Sequence, residues 1–284
     1  MTQLPGPPPI GYRPVVDHPA GWYADPWIAG GLRYWDGRAW TGQVAAKVKP
    51  PKPPHQQLPL AVALSTVATL LAALVASRYL IEWLVEYRWP IVVYVALSAI
   101  VGYGPSLLVG MWASRRWGTG SLRADSGLYF RRIDIGWGLL TWLACLGTQA
   151  LIAFIVLTLD IPFISNTEGV NDLAADRGYI ISMLVVAVLV APLVEEMLFR
   201  GLLFRGLLGR IGVVPAVALQ AVLFGMAHFD PIRGTGNIGL IMVLTGVGAV
   251  LGGAEFVIRR IGPTIIAHFI INALAMSLSL LMAD

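Results

Sequence analysis

Ala191-Pro-Leu-Val-Glu-Glu-Met-Leu-Phe-Arg200 places two adjacent carboxylates, Glu195 and Glu196, in the middle of an apolar run that begins near Tyr179 and continues past Leu208. One charged residue at the centre of a membrane helix costs about 2.5–3.5 kcal/mol on insertion scales. Two in succession are hard to account for without a function. The surrounding composition supports a membrane setting. Of 284 residues, 57% are hydrophobic and 13% charged, whereas soluble proteins carry about 25% charged residues. The chain therefore reads as an all-α polytopic membrane protein. Its net charge of +4 reflects membrane orientation, and no nucleic-acid partner is expected. The single cysteine, Cys145, excludes an intrachain disulfide, fits no metal spacing and reads as a small core- or lipid-facing residue.

Residues 1–19 are Pro-rich and polar with no apolar core for translocation, so they are expected to be disordered, with the first membrane segment acting as an uncleaved anchor. Residues 20–44 form a separate unit. Gly21-Trp-Tyr-Ala-Asp-Pro26, Leu32-Arg-Tyr-Trp-Asp-Gly37 and Ala39-Trp-Thr41 put a hairpin signal, Asp36-Gly37, between short aromatic strands. Trp22, Trp35 and Trp40 are expected to build its miniature core. This text resembles a short Trp-rich domain of unknown function found at the ends of actinobacterial membrane proteins, which implies a small β module presented for binding, or a solvated tether. Residues 45–57, with Lys47, Lys49, Lys52 and four prolines between Pro50 and Pro54, form an extended cationic linker.

Residues 58–284 are the membrane domain. About seven apolar segments have spanning length, at approximately 58–77, 90–113, 135–159, 179–208, 212–229, 237–257 and 262–283. Arg115, Arg116, Arg123, Arg131 and Arg132 follow the second. Asp160, Glu168, Asp172 and Asp176 follow the third. Arg200, Arg205 and Arg210 end the fourth, and Arg259 and Arg260 follow the sixth. The positive-inside rule then places the N-terminus in the cytoplasm and the C-terminus outside.

Successive helical residues point about 100° apart, so Glu195 and Glu196 are expected to serve different sides. Arg200 lies four residues after Glu196, in the favourable Glu-to-Arg order. Glu196 should therefore pair with Arg200, leaving Glu195 free to face a cavity. Pro192 removes a backbone hydrogen bond just before it and leaves a carbonyl for water or substrate. In Phe224-Gly-Met-Ala-His228, Phe224 and His228 share one face. With the turn centred on Ile211-Gly212, Glu195 lies about 16 residues before it and His228 about 16 after, which brings the two level in an antiparallel pair. A carboxylate and an imidazole at equal depth can hold a water and act as general base. His268 and Asn272, in His268-Phe-Ile-Ile-Asn272, lie one turn apart and can both donate to a developing oxyanion. Taken singly, each set has a plainer structural use, as a helix contact or an ion pair.

Together the three sets resemble the EExxxR, FxxxH and HxxxN motifs of the type II CAAX prenyl endopeptidase and bacteriocin-processing family, also called Abi or CPBP proteins. The resemblance covers about residues 60–284 and is strongest in the last 105 or so. It implies an intramembrane endopeptidase acting on a membrane-associated protein or peptide within the bilayer. By it, Glu195 and His228 would activate water, His268 and Asn272 would form the oxyanion site, and Glu196, Arg200 and Phe224 would support them. No cofactor is required by that scheme. A zinc site of Glu195, His228 and His268 stands as the alternative, although the sequence has no HExxH. The front module suggests a bacterial cell membrane, and its own partner is not legible. A proton-coupled transporter, or a non-catalytic scaffold presenting the Trp-rich module, are the competing classes.

Overall fold

The structure is a computed structural model that describes residues 19–28, 31–46, 58–167 and 176–281. The expectations for the disordered terminus before residue 19, the cationic linker, and the acidic residues Glu168 and Asp172 lie outside the described residues. The chain divides into two compact units, Met1–Pro53 and Pro54–Asp284.

The first unit is a three-stranded antiparallel sheet of β1 (Gly21–Ala24), β2 (Gly31–Trp35) and β3 (Trp40–Ala46), in that order. The β2–β3 link is the expected turn. Asp36 Oδ1 accepts the amides of Arg38 and Ala39, each at 2.7 Å, and Gly37 sits at φ 93°, a left-handed conformation that suits glycine. The aromatic core differs from expectation in one member. Trp35 is buried and meets Trp40 edge-on at 5.3 Å, and Trp27 meets Trp40 at 6.4 Å. Trp22 is instead 48% exposed and packs on Tyr34. The reason is strand alternation: Trp22 lies on the outer face of β1, so the loop residue Trp27 fills the space. Buried Asp25 anchors that loop by accepting the Trp27 amide at 2.8 Å and pairing with Arg33 at 3.1 Å, while Arg33 stacks on the Trp27 ring.

The second unit is a helical bundle. Its helices are α1 (Leu60–Leu84), α2 (Ile91–Trp117), a short α3 (Leu122–Ser126), α4 (Asp134–Thr158), α5 (Arg177–Ile211), α6 (Val213–Met226), α7 (Asn237–Ile258) and α8 (Gly262–Leu281). Pro59 and Pro90 stand immediately before α1 and α2, where a fixed φ starts a helix without loss of a hydrogen bond. Six of these helices are long and apolar enough to cross a membrane. The expected fifth span is the exception. α6 has only 14 residues, about 21 Å at 1.5 Å per residue, against a hydrocarbon core of about 30 Å. It ends at Met226 because the following stretch turns through Pro231–Gly236, with Gly234 at φ 52°. Asn237 holds that turn by accepting the Asp230 amide at 2.9 Å and donating to the Asp230 and Gly234 carbonyls.

The Arg-bearing connections gather at one end of the bundle. Arg260 pairs with Asp134 at 2.6 Å, and Arg205 pairs with Glu255 at 2.7 Å. At the other end Ile164 bonds the Gly236 carbonyl and Arg78 lies 3.8 Å from Asp230. The core sits around the second half of α5, where Met197 through Phe204 are all buried. Cys145 is fully buried there as well.

Candidate active site

α5 carries the two glutamates, and it is not a uniform helix. Its hydrogen bonding is α over Arg177–Met183, π over Leu184–Val190, α over Ala191–Glu196, π over Met197–Phe204 and α again to Ile211. Pro192 explains the first widened stretch. In an α register its ring would press on the carbonyl four residues back, and it has no N–H to offer. In the wider register the carbonyl left without a donor is five residues back, on Ala187. Asn272 of α8 fills that vacancy, its Nδ2 donating to the Ala187 oxygen at 2.7 Å. The carbonyl expected to be open to water or substrate is thus held by a side chain. The short α stretch between two π segments displays Glu195 and Glu196, an arrangement frequent at functional sites.

Glu196 and Arg200 pair as the helical spacing predicts, Nη1 to Oε1 at 2.8 Å, and both are fully buried. Arg200 also donates to the Gly248 carbonyl of α7 at 3.4 Å and stacks 4.2 Å over the Phe224 ring. A charge this deep persists only when paired and hydrogen-bonded, and Arg200 has a carboxylate, a carbonyl and an aromatic face. Gly248 is needed for the close approach, since a Cβ there would lie 3.0 Å from the Ala221 Cα.

His268 of α8 joins the two glutamates. Its Nδ1 donates to Glu196 Oε1 at 3.0 Å, and its Nε2 faces Glu195 Oε2 at 3.9 Å. The expectation that the carboxylates serve different sides therefore needs correction. Their side chains diverge, but one imidazole spans the gap because its nitrogens lie on opposite sides of the ring. Glu195 is 5% exposed, and its Oε1 accepts the Tyr103 hydroxyl of α2 at 2.9 Å. Its Oε2 has no hydrogen-bond partner.

His228 lies in the turn just past α6 and is half-buried. Its Nδ1 donates to the Phe224 carbonyl at 3.0 Å, which leaves Nε2 as an acceptor in the neutral ring. Phe224, 1% exposed, is the common contact. Its ring meets His228 at 5.1 Å, His268 at 5.6 Å and Phe199 at 5.4 Å, besides lying under Arg200. Glu195, Glu196, His268 and Tyr103 are thus linked directly, whereas His228 joins them through the Phe224 ring. Among the described residues no three His, Cys, Asp or Glu side chains gather as a metal would need. The Glu195–His228–His268 zinc alternative is not assembled in this arrangement.

Two site residues escape sequence reading. Tyr103 is 92 positions from Glu195, and nothing in its own apolar helix marks it. Gln220 is fully buried and donates to the same Gly248 carbonyl as Arg200, at 2.8 Å. A signal existed for Gln220: a lone amide in an apolar helix, one turn before Phe224 and two before His228.

Residues 177–274 match the family described as type II CAAX prenyl endopeptidase Rce1-like, and residues 20–56 match a family of unknown function, DUF2510. No curated protein and no solved structure matches the chain. The matched stretch contains Glu195, Glu196, Arg200, Phe224, His228, His268 and Asn272 and excludes Tyr103. The helical bundle is an integral membrane unit whose stretch from α5 into α8 is similar to the Rce1-like type II CAAX prenyl endopeptidase family, and this similarity supports a membrane endopeptidase function.

Proposed function

We propose that the protein is an intramembrane endopeptidase that hydrolyses a peptide bond of a membrane-associated protein or peptide. The observation that carries this reading is Glu195 Oε2, a buried carboxylate oxygen without a hydrogen-bond partner, 3.9 Å from His268 Nε2. In this scheme Glu195 takes a proton from water while the Nε2 of His228 accepts from the same water and orients it. The oxygen attacks the peptide carbonyl carbon. His268 Nε2–H and the second Nδ2 hydrogen of Asn272 donate to the oxyanion, and the Glu196 carboxylate holds the imidazole in place through Nδ1. Collapse breaks the C–N bond, and the proton held by Glu195 passes to the departing amine. Glu196, Arg200 and Phe224 hold His268 in place.

No cofactor enters the scheme. The surroundings are the lipid bilayer, proposed as a bacterial cell membrane, with no nucleic acid involved and with a separate partner for the Trp-rich module. The Arg-rich end faces the cytoplasm, as the charge asymmetry favours, so cysteines placed in 115–132 should be shielded from an impermeant outside label. Labelling of that loop from outside would reverse the orientation. The decisive test of function is terminal proteomics of membranes holding wild type or Glu195→Gln. Neo-termini should vanish with the variant, since loss of a general base costs about 10²–10⁴-fold in rate. Identical termini in a folded variant would refute the reading.

A further inference from the structure

We propose that Tyr103, on α2 and outside the family-matched stretch, is a positioning residue that aims Glu195. This inference rests on the reading of Glu195 as the base. Its hydroxyl donates to Glu195 Oε1 at 2.9 Å across 92 residues of sequence. Glu195 has three rotatable bonds, and a free carboxylate would lose substantial rotamer entropy on being held in one geometry. Tying Oε1 to a phenol leaves Oε2 as the one oxygen turned toward His268 Nε2. A hydrogen bond to an ionised acceptor is among the stronger ones available.

The placement of Tyr103 follows from its neighbours. Gly102 packs directly on α1, where a Cβ would lie 3.1 Å from the Leu74 side chain. That contact fixes the rotation of α2. The next residue points about 100° further round the helix, toward α5. Pro105, two residues on, is the proline inside α2 and removes one backbone hydrogen bond there. The amino-terminal half of the bundle thus contributes a polar group to a site otherwise built from α5 through α8. On this reading α1 and α2 do more than anchor the chain, and residues 177–274 alone are an incomplete site.

The test uses the full-length protein in detergent. The tyrosine C–O stretch of residue 103 is recorded by infrared difference spectroscopy and assigned with Tyr103→Phe, or with ring-deuterated tyrosine at 103 if that variant does not fold. Glu195→Gln replaces the carboxylate acceptor with a neutral amide, so the band should move, and an unmoved band overturns the proposal. Turnover is measured on an internally quenched peptide whose prenylated cysteine is followed by three C-terminal residues. Tyr103→Phe should lower kcat about tenfold, with KM within about twofold, because a loosened base affects the chemical step and not docking. An unchanged kcat, or a rise confined to KM, also overturns it. Failure of the wild type to cut the peptide counts against that substrate and leaves the band to decide. Full turnover by Glu195→Gln would instead sink the assignment of the base itself.

Discussion

Glu196 and Arg200 offer the sharpest separation of structural from chemical roles. Both are fully buried, they meet at 2.8 Å, and Glu196 Oε1 also accepts His268 Nδ1–H at 3.0 Å. Glu196→Gln keeps the shape and one acceptor oxygen but removes the charge. Arg200 then retains the Gly248 carbonyl and the Phe224 face, neither of which neutralises a guanidinium. Breaking one half of a buried pair costs about 3–5 kcal/mol. The surviving hydrogen bonds place this variant near the lower end, at about 3 kcal/mol. Adding Arg200→Met removes the stranded charge and lays a thioether over Phe224, and replacement of both partners by apolar groups is often neutral. The double variant should therefore recover most of the lost stability, so that its loss falls well below the sum of the two single losses. Turnover should stay low, because His268 still lacks its carboxylate. The assay is reversible unfolding in detergent for the two singles and the double, alongside turnover. Additive losses would refute the pairing argument. Activity returning together with stability would refute the claim that Glu196 also orients His268.

Three further outcomes follow from other contacts. Asn272→Leu strips the Ala187 carbonyl of its donor and leaves a buried acceptor unmade, so it should lower stability by about 1–3 kcal/mol and speed hydrogen exchange across 184–190; unchanged exchange would show that the π stretch does not depend on Asn272. In the front module burial raises the Asp25 pKa, but the Trp27 amide and Arg33 outweigh it and hold the carboxyl below the usual range. A depressed folded pKa means its stabilisation is present above the ordinary carboxylate value, about 3.9, and is lost as pH falls through the folded value. Protection of residues 21–46 against exchange, relative to the intrinsic rate at each pH, should fall in acid, and Asp25→Asn should flatten that response; an equally steep response in the variant would assign it elsewhere. Exhaustive chelation should leave turnover unchanged, whereas stoichiometric zinc whose removal stops the reaction would replace the proposed water activation.

What the sequence reveals about this site depends on the reach of each contact. The Glu196–Arg200 pair is an i,i+4 relation within one helix, so spacing alone predicts it. The long apolar runs are legible for a similar local reason. The contacts that complete the site are not local. Tyr103 reaches Glu195 from another helix, and His268 reaches across 72 positions to Glu196. Periodicity says nothing about which faces meet. The π stretches were half legible: Pro192 announces a break, but composition cannot say that the helix widens instead of kinking, or that Asn272 supplies the missing donor. α6 is shorter than its apolar text implies because the turn after Met226 is fixed by Asn237, which a hydropathy reading places in the next segment. In the β module, tryptophan content predicted an aromatic core but not its membership, since Trp22 falls on the outer face of its strand while Trp27 reaches Trp40 from a loop.

A buried ion pair is weak support for stability, because the desolvation of both charges offsets most of their attraction. The retention of Glu196 and Arg200 in this core therefore calls for a use other than holding helices together, and the geometry supplies one. Glu196 Oε1 is shared between Arg200 and His268. The charge that neutralises the guanidinium also fixes which imidazole nitrogen points at Glu195. Phe224 completes the arrangement as an apolar wall that touches Arg200 and both histidines. Its ring excludes water from the guanidinium while its carbonyl sets the His228 tautomer. A leucine in its place would fill much of the volume and keep the carbonyl, but it would present no aromatic face to Arg200. Cation–π contact is worth about 2 kcal/mol when desolvated, so the consequence would fall on Arg200, then on Glu196, and only through Glu196 on His268.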